Sequence, residues 1–481
     1  MAFSPPDPEP GVASSAGPAA SRVVLGRGLL YTVGTAAPVL STAVVTPFVT
    51  RAMDAPSYGV VATSLVLIQV GMIVAGLGLA AAITRHGILE QSGVAGARSL
   101  VMRGTVLTAA LCATAAAAAP AWAPALLGFT DSTTTALALA AAAGFAVVVN
   151  VQSYLRVLDR PGAFVLLSLT GALGGPVVGV VLVQAWQPTA AVYVGGLMAG
   201  YLAAGALGLL LVLRGGPAAH HPGDTRRALR IGLPTVPHQA ALYLAGGILV
   251  LVAGWVFDPT QAGRLQLAVL VGSAAGLLTA SLNNAWAPVI YRTGPESRAA
   301  VLERTGRDIA VLTSLAAGFV SITAPFLFAI VAPASFDPAR LTPATGLVAA
   351  GTVLSVPYLC NVHLVFASGR SAGLALISPI SLAVGTGSAW AAAETVGLTA
   401  TGIGMTVSYA GLAGGTHLLA RRVSPIRWRW TALLTPLLLG GALCVAGTFL
   451  PSEGWALPLR AVAGVILVGA AVAMLLRIRA R

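Results

Sequence analysis

The side chains best placed to do chemistry in this chain are polar ones set inside long apolar stretches. They are His238 and Gln239, Asn283 and Asn284, and Asn361 with His363. Polar groups are costly in hydrocarbon, so they turn toward a bundle interior or a wet cavity. Amides and imidazoles hydrogen-bond hydroxyl groups such as those of a sugar, and a protonated imidazole also meets phosphate. The competing reading is interhelical adhesion, worth about 0.6 kcal/mol per contact. Helix neighbours point about 100° apart, so at most one of each adjacent pair faces a cavity squarely. Arg27, Arg85 and Arg292 stand at the ends of three apolar runs. A guanidinium there either grips phosphate in a bidentate fashion or anchors the helix end at the headgroups.

Covalent chemistry has no comparable support. No paired carboxylates fall one helical turn apart inside an apolar run, and there is no His-Glu-x-x-His, Walker loop or nucleophile elbow. Cys112, Cys360 and Cys444 sit in apolar runs without metal-ligand spacing and read as small buried hydrophobes. Neither an enzyme nor a metal or cofactor is expected. The acidic residues fall in connections or at run ends. Glu394 is the nearest to the membrane, as an interfacial carboxylate or, on the other reading, a coupling-ion ligand.

Such side chains need apolar helices to hold them, and the composition supplies these. Of 481 residues 57% are hydrophobic and 9% charged, with a mean hydropathy of +0.88. Soluble domains carry about 25% charged residues, so lipid is the expected solvent. A crossing takes about 20 apolar residues. On that scale fourteen helices fall near 29–50, 58–83, 104–123, 136–154, 163–183, 190–213, 235–256, 265–290, 309–332, 345–366, 373–393, 397–419, 431–450 and 456–476. Residues 1–21 hold Pro5, Pro6, Pro8 and Pro10 and read as a disordered tail rather than a cleaved signal peptide, because the run after Arg22 and Arg27 is too long for one.

Charge placement tests that layout. All 27 basic residues are arginine. With the N-terminus inside, 23 arginines fall on the cytoplasmic side and 4 (Arg51, Arg264, Arg340 and Arg460) on the outer side. This is the positive-inside pattern, and one helix added or missed would invert every later loop. Both termini are therefore expected in the cytoplasm. The net charge of +13 then follows from topology and contact with anionic lipids, and a nucleic-acid partner is not needed.

The chain also repeats at half length. Asp54-Ala55-Pro56-Ser57-Tyr58-Gly59 and Asp258-Pro259-Thr260-Gln261-Ala262-Gly263 lie 204 residues apart, after the first and seventh runs. Asp there can bond its downstream backbone, and Gly is expected to relieve a tight φ. The expected architecture is all-α: a bundle of six helices over 22–213, a linker 214–234, a second bundle over 235–420 in parallel pseudo-twofold repeat, and two further helices in 421–481. Pro38, Pro234 and Pro237 lie in the runs that open each half, and Pro47 and Pro357 lie in runs as well. They mark hinges or static kinks.

At this level the chain resembles the Wzx-type flippases of the multidrug/oligosaccharidyl-lipid/polysaccharide exporter superfamily. The resemblance is carried by Asp54 to Gly59 followed by Gly76-Leu77-Gly78 and Arg85. It continues in Gly232-Leu233-Pro234 to Pro237, in Ala285-Trp286-Ala287-Pro288 to Arg292, and in Gly369-Arg370-Ser371. Met53 and Ala55 depart from the Leu and Gly often found in relatives. The resemblance implies alternating access by two bundles, with undecaprenyl-pyrophosphate-linked glycans as cargo. It also implies polysaccharide or lipopolysaccharide assembly at the bacterial inner membrane, with a glycan polymerase and glycosyltransferases as partners beside the membrane lipids. A lipid II or drug exporter shares that fold. A glycan polymerase or ligase is the alternative of another class, and the short outer connections argue against it.

Overall fold

The computed structural model describes residues 41–219 and 221–479, so Arg27, Pro38 and the 1–21 tail lie outside the described residues. The described residues form helices and connections without a strand. The described part of the first helix, α1, covers 41–52. There follow α2 (Ala55–Ala75), α3 (Leu79–Leu89), α4 (Gly93–Ala117), α5 (Ala119–Leu127), α6 (Ser132–Val157), α7 (Pro161–Ala185), α8 (Ala190–Leu213) and α9 (Asp224–Gly232). The second half holds α10 (Val236–Val256), α11 (Pro259–Gly272), α12 (Ala274–Arg292), α13 (Pro295–Val331), α14 (Thr342–Ala367), α15 (Leu374–Thr395), α16 (Ile403–Val423), α17 (Leu434–Phe449) and α18 (Ala456–Arg479). Eleven described helices are long and apolar enough to cross a membrane, and the pair α11 and α12, bent by 44°, makes a twelfth. This is roughly consistent with the fourteen expected crossings; α16 falls short of that test, and the first expected run, 29–50, lies partly outside the described residues.

Small residues set how closely these helices pack. In α7, Gly175 and Gly179 lie one turn apart, and in α8 so do Gly196 and Gly200. A methyl on Gly196 would strike the backbone of Gly179, and one on Gly200 that of Gly175. This reciprocal Gly-x-x-x-Gly seam brings two backbones together where lipid gives no hydrophobic drive. α17 docks on α13 by a related device. Ser314 and Ser321 donate to the carbonyls of Pro436 (2.7 Å) and Cys444 (3.0 Å), facing Gly440 and Gly447. α18 packs on α13 and leaves most of its surface outward.

The two repeated motifs meet each other. Asp54 and Asp258 are the N-caps of α2 and α11, accepting from the backbone N–H of Ser57 (3.0 Å) and Gln261 (2.9 Å). Their glycines do something other than expected. Gly59 and Gly263 lie inside helices and are absent from the positive-φ residues. A side chain on Gly59 would run into the carbonyl of Pro259, and one on Gly263 into Ala55 and Gly59. The motif is thus a cap followed by a backbone-to-backbone crossing of α2 and α11, not a strained turn. Next to it Tyr58 meets Phe336 edge-on at 5.6 Å, and Thr50 donates to Val331 O at 2.7 Å.

Connections alternate between the two ends of the bundle. One end is arginine-rich; three of the four arginines at the other hold protein groups there. Arg51 bonds the carbonyls of Pro47 and Ile330, and Arg340 pairs with Asp337 at 3.0 Å. Arg460 is wholly buried and donates to the carbonyls of Pro451, Ser321, Ile322, Gly447 and Leu450. At the arginine-rich end α13 begins at Pro295, well before the expected 309, because its first turns are amphipathic and stand outside the apolar span. Glu303 and Asp308 therefore sit within a helix, not in a connection or at a run end as expected.

Candidate functional site

Two broken spans shape the arginine-rich half of the molecule. α2 and α3 are separated at Gly76-Leu77-Gly78, where Leu77 (φ 54°) and Gly78 (φ 65°) are left-handed. Gly78 lies against Gly232, so close that a side chain at either would meet the other's backbone. Gly232 leads through a 3-10 turn containing Pro234 into α10, whose first turn holds Pro237. Pro at a helix start removes no internal hydrogen bond, so both prolines are accommodated without breaking α10. In the second half a break falls at Ser273, between α11 and α12, earlier in the repeated helix than the first one.

Among the described residues, a cavity of ≈ 240 Å³ lies beside the first break. Its walls come from α2 (Met72, Ile73), α6 (Asn150, Gln152, Arg156), α7 (Ser168, Gly171, Ala172), α8 (Tyr201) and α10 (Gln239, Tyr243). It therefore joins both halves of the chain. Gln152 donates to Ser168 Oγ at 2.8 Å, and Ser168 donates to Phe164 O at 2.9 Å. Arg156 lies 5.6 Å over the Phe164 ring and donates to Ser153 Oγ at 3.3 Å. Tyr201 stacks on Phe145 at 4.6 Å, and Ser41 of α1 donates to Ala172 O at 2.5 Å. Asn150 is 1% exposed, and its Nδ2 has no partner. Amides, hydroxyls and one guanidinium around an apolar floor suit a polyhydroxylated, anionic headgroup.

The structure scatters the sequence-selected residues rather than gathering them. Gln239 lines this cavity, whereas its neighbour His238 turns to α15, where Nδ1 meets Ser378 Oγ at 2.7 Å. His363 is buried on α14, with Nε2 3.0 Å from Asn283 Oδ1 and Nδ1 3.2 Å from the Tyr291 hydroxyl. The Trp286 ring stands edge-on to it at 4.9 Å. Asn284 is exposed on α12. Asn361 is buried elsewhere on α14, donating to Pro357 O at 2.8 Å and accepting from Trp428 Nε1 at 3.1 Å. Arg85 pairs with Glu90 at 3.0 Å, and Arg227 takes the other Glu90 oxygen at 2.9 Å, tying α9 to α3. Arg292 is exposed at the end of α12. Asn150, Gln152 and Arg156 were not singled out from the sequence. Asn150 and Gln152 obey the same signal as the chosen six, polar groups inside an apolar run. Glu394 accepts from Trp390 Nε1 at 2.6 Å.

A helical bundle of this length, closed by glycine contacts at one end and holding a polar cavity toward the other, defines a multi-pass membrane protein of a transporter fold. The chain belongs to the polysaccharide biosynthesis protein family, whose model matches residues 25–293. No curated protein matches it. Among solved structures it is similar to a multidrug resistance MATE family transporter of the MOP superfamily in an inward-facing conformation. The TM-score there is 0.64 at 16% identity, over 84% of this chain and 99% of that one. An outward-facing MATE transporter of the superfamily gives 0.60 at 16% identity, over 86% and 96%. A MATE in complex with MaD3S gives 0.61 at 16% identity, over 86% and 97%. The resemblance and the all-α fold expected from the sequence are both borne out.

Proposed function

We propose that this protein is a flippase that carries a lipid-linked oligosaccharide, an undecaprenyl-pyrophosphate glycan, across the bacterial inner membrane during assembly of a cell-surface polysaccharide. Both termini and the arginine-rich end face the cytoplasm, where the cargo is made. The observation that carries this reading is the cavity of Gln152, Arg156, Ser168 and Gln239 at that end, in a chain of the polysaccharide biosynthesis family. Arg156 meets the pyrophosphate, the amides meet sugar hydroxyls, and the prenyl tail stays in lipid. The seam of Gly59 and Gly263 closes the far end while the headgroup enters. Its parting opens the outward path. Glycosyltransferases supply the cargo and a polymerase receives it.

The test is a deletion strain. Loss of the gene is expected to remove surface glycan and build up lipid-linked precursor inside. Complementation by Arg156→Ala is expected to restore less than a tenth of the wild-type glycan, taking about 1.5–3 kcal/mol for a charged hydrogen bond. Normal surface glycan in the deletion strain, with no precursor accumulated, would overturn the reading.

A further inference from the structure

A second cavity, of ≈ 250 Å³, lies at the arginine-rich end of the second half and shares no lining residue with the first. It is bounded by the last turns of α14 and α16 and by the segment that joins α16 to α17. Its floor is Asn361, whose Oδ1 accepts from Trp428 Nε1 at 3.1 Å and lies 3.3 Å from His417 Nδ1. With Nδ1 turned to the floor, the Nε2 edge of His417 makes no hydrogen bond among the described residues. Arg421 and Arg427 are exposed and line the cavity. Arg427 is steadied by Nη1 donating to Ser424 O at 3.0 Å. The lining contains no carboxylate. Trp430 is the last wall and is 51% exposed. From it Leu434 and Leu438 continue along α17 at four-residue spacing, 41% and 64% exposed.

We propose that this cavity holds the phosphodiester headgroup of an anionic phospholipid, whose acyl chains lie along Trp430, Leu434 and Leu438. Two guanidiniums without an acid between them favour a net negative headgroup over a zwitterionic one, which brings its own cation. The tryptophan belongs at the headgroup level, and the leucine stripe beneath offers apolar surface that a free phosphate has no means to use. The bound lipid bridges α16 to α17, so it also fastens the last two helices to the bundle. This site does not depend on the nature of the cargo.

The experiment is native mass spectrometry of the full chain in a neutral detergent. Phosphatidylglycerol, phosphatidylcholine or glycerol phosphate is added, and thermal unfolding is read in parallel. Phosphatidylglycerol is expected to be retained and to raise the unfolding midpoint, whereas phosphatidylcholine is not. Arg421→Gln and Arg427→Gln are each expected to weaken retention about fivefold, and together about 25-fold. Arg422→Gln removes an equal charge from the same segment outside the cavity and is expected to leave retention intact. Trp430→Ala is expected to shorten retention without any change of charge. Equal retention by the double variant and by Arg422→Gln overturns the proposal. So does displacement of the lipid by glycerol phosphate at matched concentration, which would make this a site for a free anion.

Discussion

His363 and Arg156 are both polar groups set among apolar helices, yet their surroundings assign them different work. Both ring nitrogens of His363 are engaged, one by Asn283 and one by Tyr291, which leaves nothing for a ligand. His363→Phe keeps a ring of similar shape and strands the two partners. Each lost bond is worth about 0.6–1.7 kcal/mol in a membrane protein, so the thermal midpoint in detergent should fall. Transport per folded molecule should stay within about twofold, since no group facing the first cavity has changed. Gln152→Leu should give the opposite signature, an unfolding midpoint near wild type with transport reduced. Had both variants lost transport in proportion to folded protein, the division between the two places would not stand. The sequence marked His363, Asn283 and Asn361 as polar intruders but was silent on their partners. Several of those partners are far along the chain on other helices, 80 residues away for Asn283 and His363, and 140 for His238 and Ser378. Periodicity reports a helix, not its neighbour.

Elements were more legible than residues because lipid imposes a length on each. The apolar runs at 190–213 and 235–256 coincide with α8 and α10 almost to the residue. What hydropathy did not show is where a span breaks. Proline was the expected marker, yet the two breaks lie at Leu77-Gly78 and at Ser273, neither with a proline. A left-handed leucine has no sequence signature. The glycines of the repeat were visible as a pattern, but their reason, a crossing of α2 over α11, needed coordinates. That reason makes a prediction. Gly59→Ala drives a methyl into the Pro259 carbonyl, and Gly263→Ala drives one into the α2 backbone. Overpacking of this kind costs about 1–3 kcal/mol. Each variant should therefore lower the thermal midpoint and bias the protein away from the state closed at that end. Gly441→Ala in α17 is the control, since nothing lies within 4 Å of the added methyl and alanine favours the helix. Its midpoint should hold or rise slightly. Equal losses in all three would mean that glycine content, not the seam, sets stability.

At the scale of the whole molecule, the fold fixes which connections share an end, and by the positive-inside rule the arginines are expected to orient the bundle. The alternating helices put the segment before α9, the start of α13 and the segment between α16 and α17 at one end. That end holds Arg226, Arg227, Arg298, Arg304, Arg421, Arg422 and Arg427. The arginines at the other end are few, and three of them hold protein groups there: Arg460 and Arg51 bond carbonyls, and Arg340 pairs with Asp337. Reporter domains inserted beside Arg226 and Arg421 should therefore be active only in the cytoplasm. One inserted beside Gly454, in the connection between α17 and α18, should be active only outside. The readout is paired, using one reporter that works inside and one that works outside. If all three sites reported the same side, a crossing would have been miscounted. If all three were reversed, the first cavity would face outward, and a cargo made in the cytoplasm would meet the closed seam of Gly59 and Gly263 instead.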